Sequence, residues 1–329
     1  MREGTKLEVA DGLDVIVDIP TSEEFIANGE GHLNAAWGQV VDLLLALKEI
    51  RLAVPEGELN EADEEKYWAS GGQTVAMSVA SVQHGVEAVL KGRIAAISPY
   101  VLLAGPPSNW PRACDRQDSS FAEFRTVDAQ DLLKLHNTVS VQRLSENFQQ
   151  WFEKLRKDRN KAIHSVSNKL RLTAKDSLHN ILEAHEYLFG AKQWLSARAK
   201  YLDLIPDNSI RYFRNEGTKP YISYALAREF TVVAEELGDQ SASRFFGYMP
   251  KLDAYCCPKC IDLWEQRDFH DSQDVEEVSK TFQRTEIGEF QCVLCGYSCV
   301  PRFSNCDNEE GERLFDEASN RCLSCGAEQ

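Results

Sequence analysis

The residues with the clearest chemistry in this chain are its cysteines. Nine of the ten lie within the last 74 residues, and six form three Cys-x2-Cys pairs: Cys257 with Cys260, Cys292 with Cys295, and Cys322 with Cys325. Two thiolates on a tight turn occupy two corners of the tetrahedron that Zn2+ prefers, and a second pair completes it. Disulfide bonds are the alternative, but a chain without a recognisable signal peptide is expected in the cytoplasm, where thiols stay reduced. The spacing therefore predicts bound zinc.

The cysteines suffice for two zinc sites. The simplest grouping follows chain order, with Cys257, Cys260, Cys292 and Cys295 in a first site and Cys299, Cys306, Cys322 and Cys325 in a second. An interleaved grouping stays open, because spacing alone does not decide which pairs share a metal. Four protein ligands leave no open coordination position, so both zinc ions are expected to be structural. Cys256 and Cys114 are left outside both sites.

The charge of the chain is divided unevenly. The formal net charge is −16, and a uniformly acidic surface would repel nucleic acid. Residues 134–175, however, carry ten lysines and arginines against three acidic side chains, whereas residues 1–70 and 251–329 have net charges of −11 and −9. We call residues 134–175 the basic belt. It is either a solvated helix face or a surface for a negatively charged partner.

One segment of the basic belt, Arg159-Asn160-Lys-Ala-Ile-His164, combines residues that suit phosphate chemistry. Histidine has an unperturbed pKa of about 6.5 and exchanges protons near neutral pH. Arginine is always charged and binds phosphoryl oxygens through two N–H groups. Positions five apart on a helix differ by about 140°, so Arg159 and His164 do not stack, whereas Asn160 and His164 share a face. A surface arginine and an ordinary helix histidine are the alternative.

Hydrophobic periodicity predicts that the elements around this segment are mainly α-helical. Apolar residues at three- and four-residue spacing indicate helices over 33–54, 75–97, 140–166, 173–204 and 219–237, with a short helix from 129. We predict loops at the acidic stretch 55–65 and at the long Pro- and Ser-rich connection 104–128.

Few strands are predicted. Residues 7–19 suit a short hairpin, and the remaining strands are expected in the cysteine-rich tail. The predicted organisation is an N-terminal segment, a helical bundle and a small zinc-binding module, over residues 1–30, 31–245 and 250–329.

The motif in the basic belt resembles that of the HEPN family of helical nucleic-acid-processing domains. The family motif is an arginine and a histidine separated by four to six residues, the first of which is polar. Arg159, Asn160 and His164 match this pattern. The helical segment HGVEAVLKGRI at 84–94 and the long connection after it are also similar to the organisation of the family. The resemblance covers about residues 33–205. It implies a HEPN-like bundle that acts as a homodimer, with the motif helices of two protomers meeting at one cleft.

The resemblance also implies an activity, that of a metal-independent endoribonuclease. His164 would be the acid/base and Arg159 would bind the phosphoryl group, while Asn160 would orient His164 or the phosphate. The RNA 2′-hydroxyl would attack to leave a 2′,3′-cyclic phosphate and a 5′-hydroxyl end, with no cofactor. Glu87 and Lys91 are secondary candidates for the site. Three lysines would bind RNA: Lys154, Lys157 and Lys161.

The family suggests a setting in toxin or antiphage defence, with RNA as substrate and a protein regulator or antitoxin as a further partner. In members controlled by a nucleotidyltransferase antitoxin, a tyrosine follows the histidine by two residues. This chain has Val166 there, which argues against that form of control.

Two other function classes are alternatives to the ribonuclease. One is a non-catalytic dimeric HEPN scaffold whose zinc module binds a protein partner. The other, a zinc-dependent nucleic-acid-modifying enzyme, lacks its His-x-Glu and Pro-Cys-x-x-Cys signature here. The chain has no run of eighteen apolar residues, so we predict a cytoplasmic protein without a membrane partner.

Overall fold

The computed structural model describes residues 16–55, 58–112, 114–115, 117–164, 172–204, 219–265, 280–285, 288–308 and 311–328. For residues 162–164 the description covers the backbone alone. As predicted, the described part of the chain is mainly α-helical and has small antiparallel sheets near its C-terminal end.

The described helices follow one another along most of the chain. Their bounds are α1 Ser22–Ala53, α2 Glu61–Ala95, α3 Ala129–Val139, α4 Glu146–His164, α5 Ala174–Phe189, α6 Trp194–Leu204, α7 Lys219–Leu237, α8 Asp239–Phe246 and α9 Pro258–Glu265. None of these described helices combines the length and the apolar character that crossing a membrane requires.

The chain forms two compact units, each built from two separate stretches of sequence. The first unit comprises residues 1–32 and 83–157, and the second comprises residues 33–82 and 158–329. This division into compact units does not test the predicted domain boundaries near residues 30 and 245, which stay predictions.

Helices α1 and α2 both begin earlier than predicted, because polar caps extend them. At the start of α1, the Thr21 hydroxyl accepts from the Glu24 amide at 3.1 Å, and the Glu24 carboxylate accepts from the Thr21 amide at 2.8 Å. This reciprocal capping box satisfies two donors that a helix end leaves free. At the start of α2, the Asn60 side chain accepts from the amides of Ala62 and Asp63. The acidic stretch predicted as a loop is therefore partly helical.

Gly71 and Gly72 lie inside α2, although the predicted helix begins only after them, at residue 75. A Cβ atom on Gly71 would lie 3.3 Å from Leu43 Cδ1 of α1, so the absence of a side chain lets these two helices approach closely. The acidic side chains in the first turn of α2 also interact favourably with the helix dipole. Close packing and capping together outweigh the low helix propensity of the glycines.

The single helix predicted over 173–204 is wrong, since a turn divides it into α5 and α6. Gly190 ends α5 with φ of +109°, and Lys192 has φ of +58°. Both values lie in the left-handed region, where a helix cannot continue. His185 and Trp194 then contact each other edge to face, with ring centroids 5.2 Å apart.

The predicted long connection between α2 and α3 contains short 3-10 turns and a two-residue strand. This strand, β2 (Ser119–Ser120), pairs in parallel with β1 (Ile16–Val17). Residues 7–15 of the predicted N-terminal hairpin lie outside the described residues.

The C-terminal strands form two small antiparallel sheets. The first has the order β3-β4-β5-β6 and the second β7-β8-β9. Their bounds are β3 Tyr255–Cys256, β4 Lys280–Arg284, β5 Phe290–Cys292, β6 Ser298–Cys299, β7 Arg302–Asn305, β8 Glu312–Asp316 and β9 Arg321–Cys322. These strands position the cysteines.

A buried ionic network crosses the second unit. The Arg198 guanidinium of α6 donates to both carboxylate oxygens of Glu229 on α7, at 2.9 and 2.7 Å. Arg198 also donates to Asn34 at 3.3 Å, and the Trp37 indole donates to Glu229 at 2.8 Å. The network therefore joins α1, α6 and α7 through hydrogen-bonded charges, which is how buried charges are tolerated.

Candidate functional site

The first cysteine group forms where β3 leads into α9 and β5 leads into a tight turn. Its sulfur atoms all lie within 4.8 Å of one another, and its members are those predicted for the first site: Cys257, Cys260, Cys292 and Cys295. Cys257 immediately precedes α9 and Cys260 lies in its first turn, and Gly296, with φ of +70°, closes the turn after Cys295. The two Cys-x2-Cys pairs therefore face each other.

The spacing of these sulfur atoms fits a tetrahedral metal site. Cys257 Sγ lies 3.6 Å from Cys295 Sγ, and Cys260 Sγ lies 3.9 Å from Cys292 Sγ. Four sulfurs at the usual Zn–S distance of about 2.3 Å would lie about 3.8 Å apart. Hydrogen bonding to the neighbouring thiols, above all that of Cys257, raises the pKa of Cys260 far above its usual range. A bound divalent cation would favour the thiolates instead.

A well-packed core surrounds the first group. It includes Trp264 of α9, Phe282 of β4 and Ala227 of α7, all of which are buried. The Trp264 indole donates to Ser223 of α7 at 3.2 Å, and the rings of Trp264 and Tyr224 meet edge to face. The first cysteine group is therefore packed against helix α7 of the same unit.

The second group contains three of the four predicted cysteines. Cys306, Cys322 and Cys325 lie together, with 3.6 Å between the sulfurs of Cys306 and Cys325. Cys299 lies outside this group among the described residues, because β6 pairs with β5 and sets Cys299 opposite Phe290 in the first sheet. Burial and a hydrogen bond to Asp316 raise the pKa of Cys299 to about 12.

The two remaining cysteines also lie outside both groups. Cys256 is buried in β3, where its backbone amide donates to Leu323 at 2.7 Å, and Cys114 is partly exposed in the long connection. Cys256 therefore packs beside the third Cys-x2-Cys pair.

Arg321 links the two cysteine groups, and sequence reasoning missed it. Its side chain is 5% exposed, and it donates to Asp262 at 2.5 Å and to Glu265 through both terminal nitrogens. Both acceptors lie on α9, which carries Cys260, whereas Arg321 immediately precedes Cys322. The acceptors are 56 and 59 residues away in the chain, so no local pattern indicates this contact.

Arg321→Ala is expected to weaken metal binding by the second cysteine group. We expect about tenfold lower affinity for Zn2+, because the substitution removes charge-assisted hydrogen bonds whose acceptors are partly exposed. Chelator competition with a chromogenic zinc indicator would measure the change. The control is Arg302→Ala, which removes an exposed arginine bonded to Asn320. Equal affinities of the two variants would contradict a linking role for Arg321.

On helix α4, Arg159 and Asn160 contact each other directly. The Arg159 Nη1 donates to the Asn160 side-chain oxygen at 2.9 Å, and Asn160 is exposed. The Arg159 Nε is buried and has no hydrogen-bond acceptor among the described residues. Asn160 was predicted to orient either His164 or the phosphate. The geometry adds a third role, which is to hold the Arg159 guanidinium.

The three lysines predicted to bind RNA are exposed on the same helix. Lys154, Lys157 and Lys161 recur at three- and four-residue spacing, which places them along one face. His164 is the last residue of α4, and its side chain lies outside the described part. Helix α4 therefore carries the three lysines together with Arg159 and Asn160, but Arg159 lies on the side of the helix opposite the lysines, in line with the buried Leu155.

The secondary candidates Glu87 and Lys91 have partners within the first unit. Glu87 accepts from Gln83 at 2.6 Å, and Lys91 donates to Thr126 of the long connection at 3.0 Å. Both side chains are half-buried. These bonds give each residue a structural role.

The buried histidines are part of the packed interior. Burial lowers the pKa of His185 to about 4 and also lowers the pKa of His136. Both rings are therefore neutral at physiological pH and do not suit proton transfer there.

Comparison of the chain with protein-family models, curated proteins and solved structures finds no significant match. The HEPN resemblance rests on the Arg159–His164 motif and the helical organisation, and it stays a prediction. The function has to be inferred from the residues of this chain and their geometry.

Proposed function

We propose that this protein is a metal-independent endoribonuclease of the HEPN type, with a C-terminal zinc-ribbon-like module that is structural. The observation that carries the proposal is the contact on α4 in which Asn160 holds the Arg159 guanidinium, and three exposed lysines lie on the same helix. A fixed guanidinium suits the charge that builds on phosphoryl oxygens, and a row of lysines suits an RNA backbone. The setting that the resemblance suggests is toxin or antiphage defence.

The unsatisfied donor on Arg159 supports the same assignment. A charged N–H group without an acceptor is unfavourable, at a cost of about 1–3 kcal/mol or more. Arg159 Nε has no acceptor among the described groups. An incoming phosphate would offer acceptor oxygens to this guanidinium, so binding would recover part of that cost.

Arg159 binds the phosphoryl oxygens, so the proposed reaction also needs a group that transfers protons. His164 accepts the proton of the RNA 2′-hydroxyl as the 2′-oxygen bonds to the adjacent phosphorus. The bond from phosphorus to the 5′-oxygen breaks, the leaving oxygen takes up a proton from solvent water, and His164 returns its own proton to the solvent. The products are a 2′,3′-cyclic phosphate and a 5′-hydroxyl end. DNA lacks the attacking hydroxyl and is not cleaved.

A homodimer belongs to the proposal. Arg159 and His164 diverge by about 140° around one helix. In a two-fold dimer, Arg159 of one protomer meets His164 of its partner, and two basic belts face one cleft. The acidic remainder of the chain then limits binding elsewhere on the surface.

We also propose that the metal is Zn2+. Thiolate-rich donor sets at tetrahedral spacing select this ion among the common divalent cations. The first cysteine group would hold it with four thiolates and the second with Cys306, Cys322 and Cys325. The role of the metal is to stabilise the fold of the tail.

Incubation of a labelled single-stranded RNA in magnesium-free buffer with EDTA tests the activity. The wild-type protein is expected to release fragments with 2′,3′-cyclic phosphate ends and to leave a DNA of the same sequence intact. Arg159→Ala and His164→Ala are each expected to lower the rate at least about 100-fold, since each removes a group that acts in the transition state.

The matched controls are Arg302→Ala, an exposed arginine of β7 outside the basic belt, and His84→Ala, an exposed histidine of α2. Both variants should cleave like wild type. Zinc content is measured in every sample, because EDTA would destabilise the cysteine-rich tail if it removed the bound zinc. If wild type and the variants behave alike, the ribonuclease proposal fails and the non-catalytic scaffold becomes the better account.

A further inference from the structure

Strand β7 is an outer strand with one side available for pairing. In the three-stranded sheet it pairs with β8 alone, in continuous register from Arg302 opposite Phe315 to Asn305 opposite Glu312. Its other edge therefore presents backbone N–H and C=O groups that the described strands leave unpaired. Outer strands of this kind pair readily with an added strand.

Two large apolar side chains are exposed at this edge. Phe303 of β7 is 70% exposed, and Val300, just before the strand, is 69% exposed. Phe303 lies opposite Leu314, which packs against the core around the first cysteine group. As cross-strand partners, the two side chains lie on the same face of the sheet, and the Phe303 ring remains accessible. Phenylalanine is among the residues enriched in protein interfaces.

The charge around β7 is strongly negative. Residues 300–320 contain six acidic side chains and two arginines, and Asp307 and Glu312 at the ends of β7 and β8 are exposed. Zinc bound by the second cysteine group would add to this charge, since its three thiolates outweigh one Zn2+ by one unit. The edge therefore complements a positively charged strand and repels an acidic one.

We propose that β7 is a docking edge for an extended, basic segment of another protein. The segment adds as a fourth strand beside β7, places one apolar side chain against Phe303, and directs lysines or arginines toward Asp307 and Glu312. Main-chain hydrogen bonds supply affinity, and alternate side chains supply specificity. This inference goes beyond the proposed RNA cleavage and does not depend on it.

A designed peptide tests the docking edge. The probe is a fluorescein-labelled, acetylated peptide of about eight alternating lysine and valine residues, long enough to cover the strand. Fluorescence anisotropy with the full-length protein should show saturable binding that weakens as salt is raised. Phe303→Ser should weaken binding at least about tenfold, since it removes the apolar contact. The control Val141→Ser changes a fully exposed valine before α4 and should bind like wild type.

Two further probes separate strand addition from simple charge attraction. An analogue with glutamate in place of lysine should not bind. An analogue methylated on alternate backbone nitrogens keeps its charge but cannot donate the hydrogen bonds of a strand, and it should bind at least about tenfold more weakly.

Several results would overturn the proposal. These are equal binding of the methylated peptide, unchanged binding by Phe303→Ser with its fold and zinc content intact, or a Phe303-dependent dimer of the protein alone in sedimentation experiments. The last would make a second copy of this chain the occupant. The assay contains no RNA, so its failure and the failure of the ribonuclease proposal are separate outcomes.

Discussion

Cys292→Ser is expected to remove one equivalent of bound Zn2+ and to unfold the region around the first cysteine group. Cys292 is 1% exposed and joins β5 to the core of Trp264, Phe282 and Phe290. Zinc contributes about 10–16 kcal/mol to the folding of small zinc-dependent domains. The net stability of a typical protein is about 5–15 kcal/mol, so the loss of this contribution cannot be compensated locally.

The measurement combines zinc quantification with limited proteolysis at sites within residues 255–265 and 288–299. The wild-type protein should bind two equivalents of zinc and resist cleavage there. Cys299→Ser is the informative control, because this cysteine lies in the same sheet yet outside both groups. It should retain both zinc ions. Retention of both by Cys292→Ser, or loss of one by Cys299→Ser, would show that the ligand assignment is wrong.

Glu229→Gln is expected to lower the free energy of unfolding by about 3–5 kcal/mol. The substitution keeps the shape of the side chain and removes its charge. Arg198, whose side chain is 7% exposed, would then be a buried cation whose hydrogen-bonded carboxylate is gone. The penalty comes from that uncompensated charge more than from the lost hydrogen bonds.

Chemical denaturation would measure the change, and the neighbouring residue on α7 offers a control. Arg228 pairs with Glu49 at 3.2 Å, but the Glu49 side chain is 67% exposed. Glu49→Gln should therefore cost less than about 1 kcal/mol. Adding Arg198→Met to Glu229→Gln should recover part of the stability, because the buried charge is then gone. Equal effects of Glu229→Gln and Glu49→Gln would refute the role of the buried pair.

Local signals in the sequence account for much of what could be predicted. The Cys-x2-Cys spacing predicted the first cysteine group, because each pair needs only a tight turn to bring two sulfurs together. The capping signals at Thr21 and Asn60 are equally local. They indicate the starts of α1 and α2 more directly than the loop-like composition of the acidic stretch does.

Non-local pairing explains where the sequence-based predictions were wrong. Cys299 was grouped with the second site because it is near Cys306 in the chain. Its actual position follows from the pairing of β6 with β5, which no spacing encodes. The break between α5 and α6 was missed because one glycine within an apolar pattern is compatible with a continuous helix until its φ is known.

The sequence by itself determined the elements whose causes lie within a few residues: the helical periodicity, the basic belt, the cysteine pairs and the Arg159–His164 motif. The tertiary structure alone decided which distant groups meet. Arg198 reaches Asn34 across 164 positions, and Arg321 reaches Asp262 across 59. Such contacts depend on how whole helices and strands pack, since a buried charge is stable only where the fold brings its partner.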